Sequence, residues 1–228
     1  MSITLTPRLK AIVNEVNKAS SAVDVGCDHA QVGIWLAQNK IVDNMTVSDI
    51  NEGPIFRARQ AVERAGMSDK ITCVKTDGLD GIAPQDCVII AGMGGELICD
   101  IISRAEWTKS DCRLILQPMT AGEVLREYLF ENGYKIIRET IAAEHDKIYA
   151  ILTVEPGKTE AYDDADLYLS DTSHPLAGEF LDKIVARISR MLNGKKNAEN
   201  PDEAEIARLE DLIFQLKKKR GNINAKGD

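Results

Sequence analysis

Residues Ala22-Val23-Asp24-Val25-Gly26-Cys27-Asp28-His29-Ala30 bring two carboxylates, an imidazole, a thiol and a glycine into one short run. The run begins apolar and ends polar, as a strand does when it breaks into a ligand-binding turn ahead of a helix. Gly26 lets the backbone pass close to a ligand. A dinucleotide pyrophosphate would want further glycines here and no acid, because carboxylates repel phosphate. Asp24, Asp28 and His29 suit a cation instead, such as an ammonium or a sulfonium.

Similar chemistry recurs at four later breaks in apolar runs: Asp49 (with Ile50 beside it), Asp77-Gly78, Gly92-Met93-Gly94-Gly95 and Gln117-Pro118. A carboxylate at Asp49 can accept both hydroxyls of a ribose. Asp77 can accept from an adenine amino group. Three glycines in four residues at 92–95 cost conformational entropy. They point to close approach of backbone to ligand, with free N–H groups at a helix start and Met93 packed under the cofactor. The carboxylates of the first turn tip the reading from NAD toward S-adenosyl-L-methionine. Structural alternatives stay open: an N-cap at Asp49, a plain turn at Asp77-Gly78, a capped helix start at Asp28-His29.

These residues need a scaffold that gathers strand ends. Thr6 and Pro7 start a helix as N-cap and first helical residue, with Leu5, Leu9, Ile12, Val13 and Val16 on one face. Strands are expected at 22–26, 45–50, 71–75, 87–91 and 113–116. Helices are expected at 31–40, 54–65, 96–105 and 120–132, and the glycines at 92–95 should end the fourth strand. Two β-rich runs, 134–142 and 147–154, have no helix between them and predict an antiparallel hairpin. The fold class is therefore α/β: a Rossmann-like, mostly parallel sheet with one antiparallel strand at or near its edge. Residues 156–158 and the acidic 160–166 read as a linker, so domains at 1–157 and 158–228 follow. Leu181, Val185, Ile188 and Leu192, then Ile206, Leu209, Ile213 and Leu216, predict a C-terminal helical hairpin.

Composition narrows the classes. The chain has 228 residues, 44% hydrophobic and 28% charged, with no apolar run long enough to span a membrane and no secretory segment at its start. A cytoplasmic location is expected. The five cysteines show no C-x-x-C spacing, and reduced core thiols are expected rather than disulfides or a metal site. A net charge of −8 argues against coating nucleic acid non-specifically. It leaves room for local basic faces, and Lys195, Lys196, Lys217, Lys218, Lys219 and Arg220 could form one.

The motifs Gly26-Cys27-Asp28-His29-Ala30, Gly53-Pro54, Asp77-Gly78-Leu79, Ala91-Gly92-Met93-Gly94-Gly95-Glu96 and Leu116-Gln117-Pro118 resemble those of the bacterial tRNA (adenine-22, N1)-methyltransferases. So do Leu125-Arg126 and Gly133-Tyr134. The resemblance is dense over residues 3–155 and looser to the end. It implies a class I methyltransferase domain with a coiled-coil-like appendage, S-adenosyl-L-methionine as cofactor and tRNA as partner; a monomer or weak homodimer is expected. By resemblance, the cofactor is lined by Asp24, Gly26, Cys27, Asp28, His29, Asp49, Ile50, Asp77, Gly78 and Gly92 to Gly95. Asp28 is implied as the carboxylate that stabilises the methylated base, with His29 or Gln117 orienting it. Arg8 matches an Arg-Leu pair of the family and is a candidate for the site or, with the C-terminal lysines and Arg220, for the RNA. Two positions depart from the family: Gln31-Val32-Gly33 replaces Tyr-Leu-Pro, and Met119 stands where Asn is usual. The residues by themselves also fit methylation of another RNA or a small molecule, a dehydrogenase, and a non-catalytic tRNA-binding relative.

Overall fold

The computed structural model describes residues 3–159 and 162–224. Glu160 and Ala161, part of the expected linker, lie outside them. The chain divides into two compact units, Met1–Thr159 and Glu160–Asp228.

The first unit opens with α1 (Pro7–Asn14), whose cap Thr6 accepts a hydrogen bond from the Leu9 N–H. Its strands are β1 (Ala19–Val25), β2 (Val42–Asp49), β3 (Ile71–Lys75), β4 (Cys87–Gly94), β5 (Arg113–Thr120), β6 (Tyr134–Glu144) and β7 (Lys147–Pro156). Between them lie α2 (Gln31–Gln38), α3 (Glu52–Arg64), α4 (Gly95–Ser103), a 3-10 turn at Glu106–Lys109 and α5 (Gly122–Glu131). They form one sheet in the order β3-β2-β1-β4-β5-β7-β6. β1 to β5 pair in parallel, while β7 pairs antiparallel with β5 and with β6. β7 is thus the strand that runs against the others, next to the edge, as the hairpin pattern predicts.

Alternation places the side chains. In β4, Ile89 packs into one core and Val88 and Ile90 into the other, each fully buried. This is why the run reads as continuously apolar rather than alternating. The hairpin is tied to α1 by the buried Glu15, whose carboxylate accepts from Thr140 and Thr153 at 2.5 and 3.0 Å. Buried Arg126 donates to Glu139 at 2.9 Å and to the Gly122 carbonyl at 3.3 Å, fastening the start of α5 to β6.

The glycine run departs from expectation. β4 does not end at Ala91; it pairs with β5 through Gly94, with register shifts between Ala91, Met93 and Gly94. Glycine here makes an irregular strand rather than a break, because ladder pairing continues on both sides of the shift. β5 likewise extends to Thr120, so α5 starts at Gly122 behind a left-handed Ala121 instead of at Thr120.

The second unit contains α6 (Ala177–Lys196) and α7 (Glu203–Asn224). Leu181, Ile184, Ile188 and Leu192 are buried with Ile206, Leu209, Leu212, Ile213 and Leu216. Ile184 takes the buried place expected of Val185, which is only half-buried. The helices run antiparallel: Arg220, late in α7, binds Asp182, early in α6. The acidic stretch is not all linker. Asp163 and Asp166 close a turn on each other, Ala165 is buried, and Asp166 pairs with Lys219. Among the described residues no helix is long and apolar enough to cross a membrane.

Candidate active site

The carboxyl ends of β1, β2, β4 and β5 share one edge of the sheet, and there the backbone leaves regular conformations. After β1, Gly26, Asp28 and Ala30 all take positive φ, at 76°, 41° and 54°. Left-handed geometry at non-glycine residues costs of order 1 kcal/mol or more each and persists only where the surroundings enforce it. Here the amides of Gly26 and Cys27 both donate to the Ser48 carbonyl, at 2.8 and 3.1 Å, clamping the turn to β2. Ala30 caps α2 without any side-chain bond, so Asp28 and His29 do not serve as caps.

Asp24 faces into this turn. It is 5% exposed and has no hydrogen-bond or ion-pair partner among the described residues. Burial pushes its carboxyl up from 3.8 to about 7. Asp24 lines a cleft of about 270 Å³ together with Gly26, Cys27, Asp28, His29, Arg8 and Glu144. Gly26 is required as a close approach: a β-carbon there would sit 2.3 Å from the Met93 methyl. Met93 thus packs directly on the β1 turn.

Asp28 and His29 stand at the exposed mouth. Arg57 of α3 donates to Asp28 at 2.7 Å, and His29 lies 3.6 Å from the other carboxylate oxygen. Asp49 accepts the Asn51 amide at 2.8 Å, and Ile50 beside it is 56% exposed. The cap of α3 is Asn51, not Asp49. Asp77 is exposed and paired with Arg104 of α4 at 3.2 Å. Gly78, at φ 57°, lies against Ile101. Gly95 has no room for a side chain, since its β-carbon would fall 2.0 Å from the Ala121 carbonyl oxygen.

Two residues singled out in the sequence lie in or behind the cleft wall. Gln117 is fully buried and does not reach the cleft surface. Its oxygen accepts from Arg8 at 2.7 Å, and its amide nitrogen donates to the Pro118 carbonyl at 2.9 Å and contacts the Met119 sulfur at 3.6 Å. Arg8, a candidate for the site or the RNA, sits in the cleft wall. Its guanidinium lies 5.6 Å from the Tyr149 ring centroid, and its backbone N–H donates to Glu144. The Thr6 hydroxyl, with the Arg8 amide and charge, holds the Glu144 carboxyl below its usual range despite partial burial. The C-terminal basic group divides. Lys196 binds Glu210, Lys219 binds Asp166 and Arg220 binds Asp182, whereas Lys195, Lys217 and Lys218 are exposed. Basic residues near the end of α7 are drawn to acids of their own unit, so a run of lysines in sequence is not one open face.

Sequence reading misses Arg57, Arg104, Glu144 and Tyr149, which all reach the site from other elements. Only the hairpin pattern around 143–149 offers a signal, and it carries no hint of direction. All five cysteines are free. Burial raises their thiols, Cys99 to about 11 and Cys112 to about 12.

Comparison with known proteins gives this geometry a family. A methyltransferase domain model matches residues 5–152. The tRNA (adenine(22)-N(1))-methyltransferase of Bacillus subtilis is 32% identical over 185 residues, 79% of this chain and 76% of that protein. The crystal structure of the B. subtilis m1A22 tRNA methyltransferase TrmK superposes with a TM-score of 0.86 at 25% identity, covering 95% of this chain and 99% of that one. Streptococcus pneumoniae Sp1610, solved in complex with S-adenosyl-L-methionine, gives a TM-score of 0.83 at 28% identity, covering 94% and 99%. The fold is thus that of a known group, and the chain belongs to the tRNA (adenine(22)-N(1))-methyltransferase family.

Proposed function

We propose that this protein transfers a methyl group from S-adenosyl-L-methionine to N1 of an adenine in tRNA, position 22 by its relatives. The observation that carries the reading is the 32% identity spread over 76% of a relative named for that reaction. The site chemistry supports it. A buried carboxylate without a partner, Asp24, costs free energy unless a cation completes it, and S-adenosyl-L-methionine carries two positive groups and one negative. Asp24 would take the ammonium, Asp49 the ribose hydroxyls and Asp77 the adenine edge, while Gly26 and Gly92 keep the backbone low beneath the ligand. The cofactor, when bound, supplies an activated methyl on a sulfonium.

What remains for the protein is alignment. N1 of adenine has a free lone pair and needs no prior deprotonation, so holding it in line with the methyl group is the main demand. N1 is used in base pairing, so the adenine must be unpaired or flipped into the cleft. Methylation makes the base cationic. Asp28, at the mouth, is the carboxylate placed to stabilise that charge, and its bond to Arg57 holds it in position. His29 orients the base beside it. Gln117 acts through Arg8 rather than on the base. Exposed Lys195, Lys217 and Lys218 would contact the RNA backbone.

The test is incubation of the purified chain with labelled S-adenosyl-L-methionine and unmodified tRNA, followed by nucleoside analysis and mapping of the methylated position. N1-methyladenosine is expected. Unmethylated tRNA, alongside turnover of a small-molecule acceptor, would overturn the assignment.

A further inference from the structure

We propose that the exposed face of α3 holds the tRNA beside the target adenine, with Phe56 stacking on an unpaired base and Arg64 binding a phosphate. The inference rests on the methyltransferase reading and deepens it. The helical period turns Ile55, Ala58 and Val62 of α3 into the core. Phe56 stands on the opposite crest, 57% exposed, so its ring contributes little to packing. The two flanks beside it differ. On one, Glu52 pairs with Arg59 at 3.4 Å and with Lys75 of β3 at 3.5 Å, and Glu63 follows in the same row. On the other stand Gly53, Arg57, Gln60 and Arg64, all exposed and none acidic. Arg64 has no ion-pair or hydrogen-bond partner among the described residues.

This second flank is continuous with the cleft mouth. Arg57 donates to Asp28 at 2.7 Å, and a β-carbon on Gly53 would lie 3.6 Å from the Arg57 Nη1. That bond spends the charge of Arg57 on Asp28. Arg64 remains to bind an anion, about 12 Å further along the helix than Phe56. Ring and cation together select the occupant. An unpaired base offers a π face to an aromatic ring whatever its identity, and a phosphate offers an anion that suits a guanidinium. With a net charge of −8 the chain repels a polyanion over much of its surface. A strip without acids beside the catalytic mouth is where RNA approaches at least cost. A protein partner would need a wider apolar core than one ring among polar residues.

Binding of unmodified tRNA to the full chain, read by fluorescence anisotropy, tests this alongside steady-state methylation. Phe56→Ala should raise the Kd and KM for tRNA roughly five- to fiftyfold with kcat little changed. Phe56→Trp, which keeps a stacking ring, should restore both. Arg64→Ala should reduce the slope of log affinity against log salt by about one. S-adenosylhomocysteine affinity, read by calorimetry, should stay at the wild-type value in every variant, which also reports that each is folded. Wild-type tRNA affinity and salt slope in Phe56→Ala and Arg64→Ala would overturn the proposal. A changed oligomeric state in Phe56→Ala with tRNA binding intact would overturn it too, by making the face a protein contact. So would loss of S-adenosylhomocysteine binding in step with tRNA binding. A wild-type chain that binds tRNA without methylating it contradicts the methyltransferase reading instead, and the binding comparison still decides this one.

Discussion

Clefts open at both ends of the strands of the first unit. At the amino ends of β1, β4 and β5 lies a space of about 550 Å³ lined by Lys18, Asp86, Asp111, Arg113 and Glu155. At the carboxyl ends lies the smaller one, about 270 Å³. In the larger, Lys18 and Asp111 are exposed to solvent and the other charges serve the fold: Asp86 accepts the Ser20 and Ser21 amides at 2.8 and 3.0 Å, and Arg113 binds Glu155 at 2.5 Å. In the smaller, Asp24 is buried with no partner among the described residues, the turn below it is left-handed at three positions, and Arg8 is held by Gln117. Volume therefore does not distinguish a binding site from a surface hollow here. Burial of an uncompensated charge does, together with strain repeated through one turn, because a fold retains them only where something completes them.

That contrast can be broken by removing charge at each end. The largest effect should come from the apo protein. Asp24 ionises at about 7 when folded against 3.8 ordinarily, so the folded chain holds the proton more tightly than the unfolded one. Its contribution to stability is fully present below pH 3.8 and is lost as pH rises through about 7. Asp24→Asn should thus stabilise the apo protein at pH 8 by roughly 2–4 kcal/mol, read by urea unfolding. No gain would mean the carboxylate is already satisfied.

The same variant should lose on the order of 100-fold in S-adenosylhomocysteine affinity, measured by calorimetry. Wild-type affinity should fall as pH drops below about 7, approaching tenfold per unit, since protonation removes the ammonium's partner. A flat profile from pH 5 to 8 would exclude Asp24 from the ammonium site. At the opposite edge, Asp86→Ala should cost about 1–3 kcal/mol of stability yet shift S-adenosylhomocysteine affinity less than about twofold. The smallest effect should be in the second unit: Lys217→Glu with Lys218→Glu should raise KM for tRNA by roughly three- to tenfold, leaving cofactor affinity unchanged. Lys219→Glu should act mainly on stability, because it breaks the bond to Asp166.

Much of the fold is legible in the sequence, for physical reasons that particular residues make plain. Cys87 to Ile90 read as a strand because both faces are buried, and Thr6-Pro7 as a helix start because cap and ring geometry are local. The positions of Asp24, Asp28 and Asp49 at strand ends follow from the same patterns. Glycine is the weak point. The run at 92–95 reads as a stop, yet pairing with β5 carries β4 to Gly94. Exposure is another. Gln117 has the chemistry of a base-contacting amide but lies fully buried behind Arg8. A periodic pattern does not say which of Ile184 and Val185 turns inward, because the two differ by one position on the helix.

The sequence by itself determined the α/β class, the hairpin that brings in the antiparallel strand, the helical pair and the set of acids at the strand ends. It could do so because period, capping and strand-end polarity are local properties of a chain. Only the tertiary structure decided what those groups do. Arg57 reaches Asp28 across 29 positions, and Arg8 reaches Gln117 across 109. Asp24 is buried with no partner among the described residues, and Lys219 and Arg220 are absorbed by acids of their own unit. Pairing energy depends on distance and desolvation, which sequence spacing does not encode.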